Sequence, residues 1–140
     1  MNYWVVGAMW GGKIEHDVLD EFLERGYWYC WDQKATPPAE ETVGGGNSVE
    51  AQRERFKKIM PRDRIAVKKN VSVKDQKIEI RAIGIVKIVD TVEWRVYVNW
   101  LPIAPQGTPL SRIVDMHGCS ASVHGPFAST DLWVREIFCI

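Results

Sequence analysis

The spacing of hydrophobic and polar residues differs from one segment of the chain to the next, and the spacing in each segment predicts its secondary structure. Strict alternation over residues 92–100 (VEWRVYVNW) is typical of a strand with one buried face. The nearly unbroken apolar run at residues 78–89 is typical of a central strand buried on both faces, and Gly84 within it predicts a bulge or a close backbone approach. Apolar residues at helical spacing predict a helix over residues 17–25, ended by Gly26.

Shorter apolar segments predict the remaining elements. Strands are expected over residues 3–10, 27–32 and 64–69. A second helix is expected over residues 48–60, and residues 132–139 fit a strand or a short helix. Five or six strands with two or three helices, in a non-alternating order, predict an α+β fold, most simply a curved, mostly antiparallel sheet or a small barrel.

The segments between these elements are rich in glycine, proline and serine. Residues 33–47 are expected to form a polar loop. Residues 102–130 are long for a connection without structure, so we expect this segment to be functional or to contain short elements. Asp17 is a candidate N-cap for the first helix, and Asn47 or Ser48 for the second.

Composition narrows the class of protein. A length of 140 residues is close to the usual size of one domain, so we expect residues 1–140 to form a single domain. Because 18 basic residues balance 18 acidic ones, nucleic-acid binding would need a local basic surface. Three widely spaced cysteines predict no disulfide framework, and no secretory leader or membrane span is indicated. We therefore expect a cytoplasmic protein without a membrane partner.

Four segments follow one another along the chain: YWVVGAMWGG, GYWYCWDQ, KIMPRDRIAVKK with IRAIGIVKIV, and VYVNWLP. This order resembles the EVE branch of the PUA-like superfamily, whose members are relatives of YTH domains. The likeness is greatest to the EVE-like domains at the N-terminus of McrB-type modification-dependent restriction proteins. It covers about residues 3–100 and, more loosely, Val134 to Phe138. Where the family usually has Gly-Asp after Met-Pro, this chain has Arg62-Asp63.

The resemblance implies a nucleic-acid-binding reader module and not an enzyme. Such a module holds a flipped or modified base of DNA or RNA, such as methylated adenine or cytosine, in an aromatic pocket. The resemblance implies that Trp31 offers a face for stacking and that Asp32 accepts a hydrogen bond from an exocyclic amino group. It implies no catalytic residue and no cofactor. A place in a modification-dependent restriction or defence system would add an effector nuclease or another protein as a partner.

Seven tryptophans are more than packing alone predicts. Trp10 is followed by two glycines, which allow close backbone approach to a ligand, so it is a candidate second wall of the pocket. Trp100 ends a strand and is a candidate third wall. Trp10 could instead plug the end of the barrel, and Trp100 could instead pack in the core. The other tryptophans are assigned to the core: Trp4, Trp28, Trp94 and Trp133.

Basic residues are concentrated in the second helix and the strand that follows it. Arg53, Arg55, Lys68 and Lys69 are the candidates for phosphate contacts, which position a nucleic acid without reading its sequence. The structural alternative is a solvated helix face. On this alternative the domain binds a protein or a small ligand in an aromatic pocket and has no nucleic-acid role.

The segment HGCSASVHG brings His117, Cys119 and His124 close together in sequence. Zinc would need a fourth ligand, and no nearby Cys or His pair completes the set. A Cys–His nucleophile of a small hydrolase or ribonuclease would need an arrangement that sequence does not show. We therefore expect no metal and no catalysis here, and interpret the segment as a polar loop at the rim of the pocket.

Overall fold

The computed structural model describes residues 1–10, 16–30, 49–72, 74–101, 112–119 and 122–139. These residues form an α+β fold. Its strands are β1 (Tyr3–Gly7), β2 (Met9–Trp10), β3 (His16–Asp17), β4 (Tyr27–Tyr29), β5 (Arg64–Ser72), β6 (Lys77–Asp90), β7 (Arg95–Trp100), β8 (Arg112–Asp115) and β9 (Val123–Phe127). Its helices are α1 (Leu19–Arg25), α2 (Val49–Phe56) and α3 (Leu132–Phe138).

Most strands belong to one seven-stranded sheet in the order β4-β7-β6-β5-β1-β9, in which β8 also pairs with β6. Strand β6 is 14 residues long, so β7 and β8 pair with different parts of it while β5 pairs along its other side. The pairing of β1 with β5 is parallel and the others are antiparallel. The expected mostly antiparallel sheet is therefore confirmed.

The expected strand count of five or six is wrong, because the sheet has seven strands and β2 pairs with β3 in a separate ribbon. Strands β8 and β9 lie in the segment 102–130, where four and five residues between Gly, Ser and Pro are too short to show a period. That segment does contain short elements, as expected. Its residues 102–111 and 120–121, and the loop 33–47, lie outside the described residues.

The sheet is curved enough to bring β4 back to β1. Three strands separate the two in the sheet order, yet the indole Nε1 of Trp28 in β4 donates to the backbone oxygen of Gly7 in β1 at 2.8 Å. Helix α2 packs near this closure, since the Phe56 ring stacks on Trp28 with centroids 5.9 Å apart. The first core fills the enclosed face; its largest members are Trp4, Phe22, Trp28 and Phe56.

A second core covers the other face of the sheet beneath α3, with Ile78, Ile80, Met116 and Ile137 as its largest fully buried members. Strand β6 serves both cores, because the register against β5 skips Arg81. Ile80 therefore faces the second core while Ala82 faces the first. The prediction that residues 78–89 are buried on both faces is therefore wrong: buried and half-buried residues alternate along β6, and Lys87 and Ile88 are exposed. Gly84 makes the predicted close approach, since a Cβ there would lie 2.5 Å from Cγ1 of Val98.

Several predicted boundaries shift for local reasons. Asp17 is not the N-cap of α1, because it pairs with Met9 in the β2–β3 ribbon and Val18 takes the cap position without a side-chain bond. Gly26 ends α1 in the left-handed conformation, as expected.

The boundaries of other elements also differ from those predicted. The strand expected over 92–100 starts at Arg95, because Trp94 occupies the hairpin turn with a φ of 56°. Helix α2 stops before residue 60, since Ile59 bonds to the oxygen of Phe56 in a tighter turn ahead of Pro61. The first strand is divided at Ala8, and residues 132–139 form the helix α3.

Candidate functional site

The parallel pairing of β1 with β5 ends at Gly7 and Lys68, while β5 itself continues to Ser72, and a buried lysine lies where the pairing ends. Gly7 pairs with Lys68, so no side chain of β1 covers the sheet face beside that lysine. Lys68 is only 3% exposed, and its Nζ donates to Oδ1 of Asn70 at 2.9 Å. An ammonium has three N–H donors and is costly to bury, so a lysine here is expected to have a function or a compensating neighbour.

The neighbours of Lys68 come from four other parts of the fold. Burial lowers the pKa of Lys68 to about 8, and the Cys119 and Cys30 thiols oppose this effect. Burial also lowers the pKa of His124 to about 4, and the charges of Lys68 and Arg55 lower it further. We call Arg55, Lys68 and His124 the basic cluster. Among the described residues, no carboxylate acts on the pKa of either Lys68 or His124.

Cys119 completes the surroundings of the basic cluster from the second core. Burial raises the pKa of its thiol to about 11, while the charges of Lys68 and Arg55 pull in the opposite direction. Its Sγ lies 3.7 Å from the backbone oxygen of His117, to which it can donate. The thiol is therefore protonated at neutral pH and is a poor nucleophile.

Helix α2 fixes the position of Arg55 by covering the β9 edge of the sheet. Gln52 Oε1 accepts from the backbone N–H of Ser122 at 3.0 Å, and Arg55 Nη1 donates to the backbone oxygen of Val123 at 3.0 Å. These two bonds pair backbone groups of an edge strand that would otherwise be open. They also place a guanidinium next to His124 in β9.

Trp31 and Asp32, the central pocket residues of the sequence prediction, lie outside the described residues. They follow Cys30 directly in the chain, and Cys30 is close enough to Lys68 to act on its pKa. Trp10 lies in β2, three residues after Gly7, and its backbone pairs with His16. Strand β1 therefore ends at the pairing partner of Lys68, and β4 ends near it, since Trp28 in β4 bonds to Gly7 and Cys30 is within electrostatic reach of Lys68.

Trp100 occupies a different place. Its Nε1 donates to the backbone oxygen of Phe22 at 2.9 Å, and its half-buried ring packs against the first core. The ring also lies over Gly84, where a Cβ would meet Cε3 of the indole at 2.9 Å. Gly84 pairs with Ile65, three residues before Lys68 along β5. Packing accounts for Trp100, and the structure does not group it with the basic cluster.

The four basic residues predicted for phosphate contacts do not share one surface. Arg53 places its guanidinium carbon 5.0 Å from the centroid of the Trp94 ring, at the β6–β7 turn. Lys69 is half-buried and follows Lys68 in β5, so the two point to opposite faces of the sheet. Of the four, Arg55 and Lys68 both act on the pKa of His124; Lys68 is buried and Arg55 is half-buried.

Of the segment HGCSASVHG, the structure places His124 in the cluster as a buried member of β9 and not in a rim loop. The sequence did not show this role, because β9 itself was not predicted. His117 is exposed and stacks on Trp133 with ring centroids 5.0 Å apart. Across the described part of the chain, no three His, Cys, Asp or Glu side chains gather as metal ligands would.

A comparison of the chain with protein-family models, with curated proteins and with solved structures found no match. The likeness to EVE domains therefore depends on the sequence segments alone and stays a prediction. None of the helices within the described ranges is long and apolar enough to cross a membrane.

Proposed function

We propose that this protein is a nucleic-acid-binding reader that holds a single base at the end of β1 and β4, beside the basic cluster. The observation that carries this proposal is the convergence just described: both strands that lead to the candidate pocket tryptophans end at or near Lys68. A splayed base needs an aromatic face to stack on and polar groups that meet its edge or its phosphate. The proposal assigns the aromatic faces to Trp31 and Trp10 and the polar contacts to Lys68, Arg55 and Asp32.

The proposal gives each residue a role. Trp31 stacks on the base, Trp10 forms a second wall, and Asp32 accepts from an exocyclic amino group. Lys68 donates to an acceptor of the ligand, either a base oxygen or a phosphate oxygen, and Arg55 supports it with a second positive charge. A buried ammonium with no carboxylate neighbour among the described residues is stabilised when a ligand brings an acceptor.

The resemblance to EVE domains supports a modified base as the ligand and binding without catalysis. On that basis the protein recognises methylated adenine or cytosine in DNA or RNA, and an effector nuclease or another protein acts on the marked strand. The raised pKa of the buried Cys119 thiol makes it a poor nucleophile, so the proposal gives it no catalytic role.

Tryptophan fluorescence tests the proposal. Short single strands with one methylated adenine or cytosine are titrated into the protein beside their unmodified counterparts, at several salt concentrations. Stacking on Trp31 should quench the fluorescence, the modified strand should bind more tightly, and affinity should fall with salt because phosphates are contacted. A domain that binds only proteins or small ligands would show no quenching with any strand.

Two lysine variants locate the site. Lys68→Met removes a buried charge and should weaken binding at least tenfold while the fold is kept, since a buried unpaired ammonium is itself costly. The matched control is Lys58→Met at an exposed position after α2, which should leave affinity nearly unchanged. Equal effects of the two variants would remove Lys68 from the site.

A further inference from the structure

A second surface, which is formed by aromatic side chains and an arginine, lies on the outer face of β4, β7 and β6. The register places Tyr27, Tyr97 and Ile88 in one row across the three strands. The next row contains Tyr29 and Arg95. We call these five residues the tyrosine surface. They alternate with Trp28, Val96 and Val98, which belong to the first core. Tyr27 and Tyr29 pack against the border of that core, whereas Tyr97 and Ile88 are exposed.

The rings of the tyrosine surface are in contact with one another. The Tyr27 and Tyr29 centroids are 5.4 Å apart, and those of Tyr27 and Tyr97 are 6.4 Å apart. The Arg95 guanidinium carbon lies 4.2 Å from the centroid of Tyr29 and 4.8 Å from that of Tyr27. These contacts restrict the side chains before any ligand arrives, so little conformational entropy is left to lose on binding.

Part of this surface remains open to solvent. Tyr97 is 37% exposed and the neighbouring Ile88 is 60% exposed, which is unusual for large apolar groups side by side on a sheet. Helix α1 packs on β4 through Phe22, whose ring centroid lies 6.0 Å from that of Tyr27 and 5.5 Å from that of Tyr29. The open part is therefore the half formed by Tyr97 and Ile88, with Arg95 beside it.

The acidic groups at the border are engaged within the protein. Glu21 accepts from the Tyr27 hydroxyl at 3.0 Å and approaches Arg25 at 4.0 Å. Asp90 Oδ1 accepts the backbone N–H groups of Val92 and Glu93 in the hairpin turn, at 2.9 Å and 3.0 Å. The Arg95 guanidinium lies over the two rings and also makes a hydrogen bond to the Tyr29 side chain. A guanidinium has five N–H donors, so this bond does not use all of them.

We infer that the tyrosine surface binds single-stranded nucleic acid by stacking, with Tyr97 and Arg95 receiving the nucleotides next to the base held in the pocket. Exposed aromatic rings and an arginine plane on the face of a sheet stack bases without demanding a sequence, and the guanidinium adds a phosphate contact. The inference rests on the proposed function for its direction, since β4 leads from Tyr29 through Cys30 to Trp31. It extends the site from one base to a short strand.

Strand length separates this surface from the pocket. The probes are methyladenosine and methylcytidine monophosphates, each also placed within a thymidine octanucleotide, and affinities are measured by calorimetry. We expect wild type to bind the longer probe about tenfold more tightly than the mononucleotide, as one added stacked base would give. Tyr97→Ala should abolish this gain and leave mononucleotide affinity unchanged, whereas Tyr97→Phe should keep the gain. Circular dichroism confirms that each variant is folded.

Each outcome decides between the two proposals. If Tyr97→Ala keeps the gain with length, the inference is wrong and the pocket proposal stands. If the octanucleotide binds in a Tyr97-dependent way while the mononucleotides do not bind and Trp31→Ala has no effect, the pocket is wrong and the surface stands. Absence of binding to every probe overturns both. A proline-rich peptide that shifts the Tyr97 resonances when no oligonucleotide does would assign the surface to protein recognition and overturn the inference.

Discussion

Arg62 occupies a backbone conformation that suits glycine. Its φ is 76°, and its N–H is held by the backbone oxygen of Val86 at 2.8 Å, so the turn cannot relax. The left-handed region costs a residue with a Cβ about 1–2 kcal/mol, part of which glycine loses again through chain entropy. We predict that Arg62→Gly raises the free energy of unfolding by about 0.5–1 kcal/mol, measured by urea denaturation.

Arg62→Ala is the matched control, because it removes the charge and keeps the Cβ. It should change the free energy of unfolding by a few tenths of a kcal/mol at most. If the alanine and glycine variants are equally stable, the strain at this turn is not real. Arg62 is also where the sequence departs from Gly-Asp of EVE domains, so the test measures what that departure costs.

His124 makes the stability of the fold depend on pH. Its pKa is lowered from 6.5 to about 4 by burial and by the charges of Lys68 and Arg55, so the unfolded chain takes up its proton at a higher pH than the folded protein does. Stability is therefore lost as pH falls from about 6.5 to about 4, and the loss is complete below that range. We predict that His124→Gln loses less stability than wild type over this interval, in thermal melts at matched ionic strength. Parallel curves for the two proteins would contradict the assignment.

At the scale of elements, Gly84 sets how closely β6 and β7 approach. A Cβ at this position would lie 2.5 Å from Cγ1 of Val98 and 2.9 Å from the backbone oxygen of Asn99. The second contact is with backbone, so the strands must move apart to relieve it. We predict that Gly84→Ala costs about 1–3 kcal/mol in unfolding free energy.

Gly7→Ala is the control for Gly84→Ala. The nearest atom to a Cβ at Gly7 is the Cα of Ser122 at 3.7 Å, an ordinary contact, so the fold should lose little. Because Gly7 lies beside Lys68, this variant also tests whether a methyl group there hinders ligand binding. A Gly84→Ala protein as stable as wild type would show that β6 and β7 are less tightly packed than described.

The elements also show which sequence patterns are informative. Long periodic segments identified β6 and β7, and Gly84 was marked correctly from its place in an apolar run. The short strands β8 and β9 were missed, because four or five residues carry no readable period. Missing β9 hid the place of His124, so one of the three members of the basic cluster could not be predicted.

At the scale of the whole molecule, the curvature of the sheet cannot be predicted from the sequence. The bond from Trp28 to Gly7 joins strands that are distant in the sheet order, and no local pattern predicts such a closure. Asp63 has a similar role: it accepts from the Asn2 N–H, from Trp4 Nε1 and from the Met60 N–H at 2.9, 2.9 and 3.0 Å. The resemblance marked Asp63 as part of a motif, and the structure shows that it fastens the start of the chain to the turn before β5.

Packing accounts for most of the tryptophans that the structure describes. Trp4 and Trp28 are fully buried in the first core, and Trp100 packs against that core and bonds to α1. Trp133 lies in the second core, and Trp94 packs against the first. The excess of tryptophan is therefore explained in part by packing, and the proposal assigns Trp31 to binding.

One variant measured in two ways tests the proposal most directly. Trp31→Ala should lower the affinity for a single strand with a methylated base at least tenfold, because a stacking face is lost. It should lower the free energy of unfolding by less than about 1 kcal/mol, as expected for a side chain outside the core. Trp28→Ala, in the buried core, should instead lose about 3–5 kcal/mol. A Trp31→Ala protein that unfolds as Trp28→Ala does, or that binds the strand as wild type does, would contradict the account.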